Sequence, residues 1–102
     1  LSGKNHYVRK IDNGDWIKVR EVEFGAASPE HMTIEVLNYK ASGLVEFYLD
    51  SLGGNPFASF NVTADQVITM ELLRPVTGRH DVYILFRGGD GQMFDFDWWK
   101  VN

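Results

Sequence analysis

Apolar and polar residues alternate along much of this chain with a period of two, the spacing of a strand that buries one face. Along 32–39, Met32, Ile34 and Val36 alternate with Thr33, Glu35 and Leu37. Along 44–50, Val45, Phe47 and Leu49 alternate with Glu46, Tyr48 and Asp50, and along 15–24 Ile17 and Val19 stand opposite Trp16, Lys18 and Arg20. Further strand-like runs cover 6–11, 57–62, 67–73, 80–87 and 93–101. The run at 67–73 is the most helix-compatible, but Val67, Ile68 and Thr69 are β-branched and Pro75 follows, so it too is expected to be a strand. Turn signals (DNG at 12–14, SLGGNP at 51–56, PVTGR at 75–79) separate the runs at roughly the 8–12-residue spacing of a sandwich or barrel. The expected fold is all-β: an antiparallel β-sandwich of jelly-roll type, one domain over residues 1–102 without repeats or an internal linker.

The C-terminal stretch 80–101 reads as a hairpin, with the turn supplied by GGDG at 88–91. In its second arm, a period of two puts Phe94, Phe96 and Trp98 on a core face. Asp95, Asp97 and Trp99 then share the other face, where two carboxylates and an indole make an unusual solvent-facing group.

Composition narrows the function classes. A formal charge of −4 argues against a nucleic-acid partner, which requires a basic face. No apolar run approaches the roughly 18–20 residues that span a bilayer, and the start, LSGKNHYVRK, has no signal-peptide core. With no cysteine there is neither a disulfide nor a thiolate metal site, which suits a cytosolic protein and equally a bacterial secreted or periplasmic one. The chain opens at Leu1 without an initiator Met, as a piece of a longer polypeptide does.

Enzyme signatures are missing from the sequence. It contains no P-loop, GxGxxG, GxSxG or HExxH, and His6, His31 and His80 are scattered without metal-ligand spacing. The acids Asp15, Glu46, Asp50, Asp95 and Asp97 read as outward strand positions rather than as a carboxylate pair across a deep cleft. Outward aromatics are the better clue. The weakly polar C–H face of a sugar ring stacks on an indole or phenol while nearby polar groups take its hydroxyls. Trp16 with Lys18 and Arg20 is one such group, and Trp99 with Asp95 and Asp97 is another; the competing expectation is that both indoles pack beneath loops.

Taken in order, IDNGDWIKV (11–19), VEFG (22–25), GLVEFYLDSLGG (43–54), VTGRHDVYILFRG (76–88) and MFDFDWWKV (93–101) resemble the family 6 carbohydrate-binding modules of bacterial glycoside hydrolases. The likeness is greatest to modules appended to family 43-type enzymes. It implies a non-catalytic jelly roll, secreted or periplasmic, that holds a parent catalytic domain on a plant or algal polysaccharide of xylan, arabinoxylan or β-glucan type. It also implies an additional first strand whose acidic motif binds a structural calcium; this chain starts after that point. Asp97 occupies the position of a C-terminal calcium contact, a partial site, and a cofactor is implied only if an acidic strand lies upstream. In the family's loop-end cleft, Lys10 takes the first aromatic position and Asp95 the Asn position, and the TGxW segment expected between 57–62 and 67–73 is missing. That cleft is therefore either lost or rebuilt from Tyr7, Lys10 and Asp95. A second family site, on the concave sheet face, uses the retained Trp16 with an acidic neighbour, Glu46 or Asp50. The alternative is a structural spacer or protein-contact sandwich that has lost its sugar site.

Overall fold

The computed structural model describes residues 5–12, 14–88 and 92–102, with the backbone alone at 5–12 and at Gln92. These residues form eight strands: β1 (Asn5–Asp12), β2 (Trp16–Glu23), β3 (His31–Leu37), β4 (Gly43–Leu49), β5 (Ala58–Val62), β6 (Gln66–Glu71), β7 (Arg79–Gly88) and β8 (Gln92–Val101). One sheet has the order β1-β8-β3-β6 and the other β2-β7-β4-β5, with every pairing antiparallel. This is the jelly-roll order, in which sequential strands pass back and forth between two facing sheets. Of the segment expected as a strand at 67–73, residues 67–71 are strand, within β6, and Leu72 and Leu73 lie beyond its end.

Alternation places the core as expected. Ile17, Val45, Phe47, Phe60, Val62, Val82, Ile84 and Phe86 face inward from one sheet, and Met32, Ile34, Val36, Phe94 and Phe96 from the other; all are buried. Where the sheets meet, rings interlock. Phe47 lies 5.8 Å from Phe60, 6.1 Å from Phe57, 6.5 Å from Phe96 and 5.6 Å from Trp99, and Phe86 lies 5.3 Å from Phe96. The contacts are edge-on or tilted, which sets the positive rim of one ring against the negative face of the next and contributes about 0.5–1.5 kcal/mol per pair beyond area burial.

Two expectations for the C-terminal stretch are corrected. The first is the hairpin: β7 and β8 belong to different sheets. Each is a central strand whose two edges are already paired, β7 with β2 and β4, β8 with β1 and β3. Their apolar faces therefore meet across the core, with Phe86 6.2 Å from Phe94, instead of lying side by side. The layers come close here because Gly43 and Gly88, Cα partners on β4 and β7, leave room for Met93; a Cβ on Gly43 would come within 2.9 Å of both Met93 Sδ and Phe94 Cε2. The turn residues 89–91 lie outside the described residues.

The second correction concerns the adjacent indoles. On β3, Glu35 pairs with Trp98 and Val36 with Phe96, so Asp97 is the extra residue of a bulge. The bulge reverses the inside–outside phase. Trp99 is fully buried in the central cluster, and Trp98 faces the outer side, covered, with its Nε1 donating to Glu35 Oε1 at 2.8 Å. Trp99 is thus a core residue and not part of an outward platform with Asp95 and Asp97.

A polar clasp secures the end of β4. Asp50 has φ 64°, and its Oδ1 accepts from the Asp81 N–H at 3.2 Å while its N–H donates to Asp81 O at 2.8 Å. Asp81 Oδ1 in turn accepts from the N–H of Glu21, another residue at positive φ, at 2.9 Å. His80 completes the clasp: Nδ1 is 2.9 Å from Asp50 Oδ2 and Nε2 is 2.8 Å from Thr77 O. Two acceptors on one imidazole favour the doubly protonated ring, and the hydrogen bond to Asp50 raises the His80 pKa above its ordinary 6.5 against the opposing effect of burial.

Two outcomes are expected. Phe47→Ala opens a cavity at the ring cluster and should cost about 3–5 kcal/mol in urea unfolding. For His80, a folded pKa above the unfolded value means that the stabilisation is fully present below pH 6.5 and fades as pH rises through the folded pKa. The melting-temperature gap between the native chain and His80→Ala should therefore be wider at about pH 5.5 than at about pH 8.5; a gap that widens with pH would contradict the clasp.

Candidate functional site

The outward positions of the β2-β7-β4-β5 sheet form a continuous face. Registers align Trp16 with Leu85, Glu46 and Ser59 in one row, and Lys18 with Tyr83 and Tyr48 in the next. A third row contains Arg87, Leu44 and Asn61. Inward neighbours on the same strands anchor this face, because Ile17, Val45 and Ile84 are held in the core. At its start, Gly14 has φ 87°, a turn conformation open to glycine, and its N–H donates to Phe86 O at 2.8 Å; Phe86 N–H returns a bond to Asp15 O at 2.9 Å. Those bonds fix where β2 begins and hence where Trp16 stands.

Trp16 is 49% exposed, unusual for so large an apolar side chain. Its ring centroid lies 6.0 Å from that of Tyr83 with an interplanar angle of 36°. Lys18 Nζ sits 5.3 Å from the Tyr83 centroid and 3.7 Å from Asp81 Oδ2, so the cation rests against the phenol while paired at its tip. Toward β4 the face becomes polar and enclosed. Glu46 Oε1 is shut off from solvent and lies 2.8 Å from Arg87 Nε as an ion pair. Burial raises the Tyr48 phenol above its ordinary pKa, the charge and hydrogen bond of Glu46 add to this, and Arg87 pulls the other way. The phenol therefore stays protonated beside the Glu46 carboxylate. The face thus pairs a ring platform with a prearranged set of charged and hydroxyl groups.

Of the residues expected at a site, the structure brings Trp16 and Glu46 onto this one face, two strands apart. Asp50 is taken up in the clasp at the strand end. Asp95 belongs to the other sheet, where its Oδ2 accepts from Asn38 Nδ2 at 2.6 Å and its Cα pairs with Lys10. The side chains of Tyr7 and Lys10 lie outside the described residues, and Trp99 is sealed in the core. Asp97 sits at the bulge. Among the described residues no three His, Cys, Asp or Glu side chains gather as metal ligands, and one carboxylate falls far short of the roughly six to eight oxygens that Ca²⁺ takes. Sequence reasoning missed Tyr83 and Arg87, although Tyr83 stands between the inward Val82 and Ile84 and Arg87 just after the inward Phe86, and the same alternation that exposed Trp16 would have revealed them.

Comparison with known proteins bears on the same chain. The model of the family described as carbohydrate binding module (family 6) matches residues 2–102. An arabinoxylan arabinofuranohydrolase of Bacillus subtilis (strain 168) is 35% identical over 104 residues, covering 96% of this chain and 20% of the relative. The chain thus spans about a fifth of that relative's length. Among solved structures, a glycoside hydrolase family 43 arabinoxylan arabinofuranohydrolase from Bacillus subtilis, in complex with cellotetraose, superposes with a TM-score of 0.82 at 32% identity, covering 91% of this chain and 20% of that one. A family 6 carbohydrate-binding module from Clostridium cellulolyticum, in complex with xylose, gives 0.79 at 24% identity, covers 99% of this chain and 88% of its own, and shows the shared fold. With two antiparallel sheets, an outward aromatic platform and a family match across almost its whole length, the chain belongs to family 6 of the carbohydrate-binding modules, a family of non-catalytic carbohydrate-binding domains.

Proposed function

We propose that this module holds a plant or algal cell-wall polysaccharide, of xylan, arabinoxylan or β-glucan type, on the outer face of the β2-β7-β4-β5 sheet, and so keeps a parent glycoside hydrolase on its substrate outside the cell. The observation that carries this is the half-exposed Trp16 lying against Tyr83 on that face. A pyranose ring laid on the indole buries its C–H face, while Glu46 and Ser59 in the same row, and Asn61 in the row of Arg87, stand to meet hydroxyls. An open sheet face suits a long chain better than a free monosaccharide, since nothing closes over its ends. Supporting the substrate class, relatives at 32–35% identity are arabinoxylan arabinofuranohydrolases, one of them solved with cellotetraose. Affinity should be modest, because each sugar gains one stacking contact and a few solvent-competed hydrogen bonds against the cost of ordering the polymer.

Affinity electrophoresis through gels containing xylan, arabinoxylan or β-glucan tests the reading. At least one glycan should retard the module, and Trp16→Ala should weaken that binding about tenfold or more, equivalent to about 1.4 kcal/mol. Leu73→Ala, an exposed apolar change beyond β6, should leave it unaltered. Undiminished retardation of Trp16→Ala would move the site to the Asp95 end of the other sheet, and no retardation by any glycan would favour the spacer function. EDTA should leave the melting temperature unchanged if the chain holds no calcium, whereas a clear drop would reveal a bound ion.

A further inference from the structure

Past the Trp16 row the same face deepens into a groove of about 480 Å³, lined among others by Ser42, Leu44, Asn61, Thr63 and Arg87. Leu44 pairs with Arg87 on one side and with Asn61 on the other, so the groove runs across β7, β4 and β5. Arg87 lies two residues beyond Leu85, the partner of Trp16, which sets it about 7 Å further along the strand and on the same face.

Arg87 is held from beneath. Its Nε lies 2.8 Å from Glu46 Oε1; the glutamate side chain is 14% exposed and the arginine 59%. Tyr48 is buried two residues further along β4 on the same side, and its phenol feels the opposing charges of both Glu46 and Arg87. The inner edge of the guanidinium is therefore engaged, while the side chain remains largely open to solvent at the groove. A guanidinium carries more N–H donors than these partners take, and their fork matches the two oxygens of a carboxylate. The buried carboxylate fixes the rotamer, which removes part of the entropy cost of binding. Around it, Ser42, Thr63 and Asn61 supply the hydroxyl and amide groups that a polar ring requires.

Granting that the sheet face binds the main chain as proposed above, we infer that this groove is a subsite for an acidic sugar, a uronic acid borne as a side group of the polysaccharide, with Arg87 receiving its carboxylate. The remaining lining groups hydrogen-bond its hydroxyls, and the main chain stays on Trp16 and Tyr83. The module carries a net charge of −4, so general attraction to a polyanion works against such a preference, and any preference observed is local to the groove.

The experiment compares three ligands on the whole chain by affinity electrophoresis and calorimetry: glucuronoxylan, the same polymer after chemical reduction of its carboxyl groups, and unsubstituted xylan. Glucuronoxylan should bind about fivefold more tightly than its carboxyl-reduced form, the range of a solvent-accessible charge pair. That ratio should fall close to one in Arg87→Gln and be partly kept in Arg87→Lys, with melting curves confirming that both variants are folded. Equal binding of native and reduced polymer by the unaltered chain would overturn the subsite, and needs no variant. An undiminished ratio in Arg87→Gln would do the same. If native and reduced polymers bind equally and Trp16→Ala abolishes both, the subsite fails while the platform stands; if none of the three polymers binds, the subsite fails, and the platform fails with it only when arabinoxylan and β-glucan are not retained either.

Discussion

The aromatic seam between the two sheets is the constraint on which the rest of the structure depends. Phe47 and Phe86 from one sheet meet Phe94, Phe96 and Trp99 from the other at ring separations of 5.3–6.5 Å. In a chain with no cysteine, no disulfide shares this task. The described strands meet no helix, so the stacking of one sheet on the other is what shields the apolar side of both. The seam also explains why β7 and β8 take the centres of opposite sheets: the two runs richest in inward aromatic and branched residues bury most when they face each other across the core.

Most of this was legible as alternation. Met32, Ile34 and Val36 on β3, and Val45 and Phe47 on β4, are where a period of two puts them. Two things were hidden, for different physical reasons. A glycine-rich link between two β-type runs is compatible with a tight hairpin and equally with a passage between layers. The choice depends on which edges other strands have already paired, and that is a property of the whole topology. The phase change at Asp97 was hidden because a bulge carries no marker in composition. An aspartate in an alternating run looks like any outward residue until the partner strand shows that nothing stands opposite it.

The candidate face of the β2-β7-β4-β5 sheet divides along the same line. Trp16 was visible because it breaks the usual preference for burying indoles, and Glu46 because it sits between inward valine and phenylalanine. The roles of Tyr83 and Arg87 depend on long-range register, since each gains its meaning from a residue on another strand: Tyr83 from Trp16, and Arg87 from Glu46. Asp50 illustrates the converse. Local sequence makes it a plausible ligand for sugar hydroxyls, but its left-handed backbone and its bonds to His80 and Asp81 give it a structural task at the strand end.

Strand β6 closes one edge of its sheet, pairing only with β3 among the described strands, and it leaves Val67 and Met70 exposed, with Leu73 just beyond. An open backbone edge flanked by apolar side chains is a template on which another extended segment can add itself. Its counterweights are local: Glu71 and Arg74 put charge at one end of the strand, and Pro75 lies just past it. Removing those charges would therefore lower colloidal stability, with self-association beginning at this edge rather than at the outer face of the β2-β7-β4-β5 sheet.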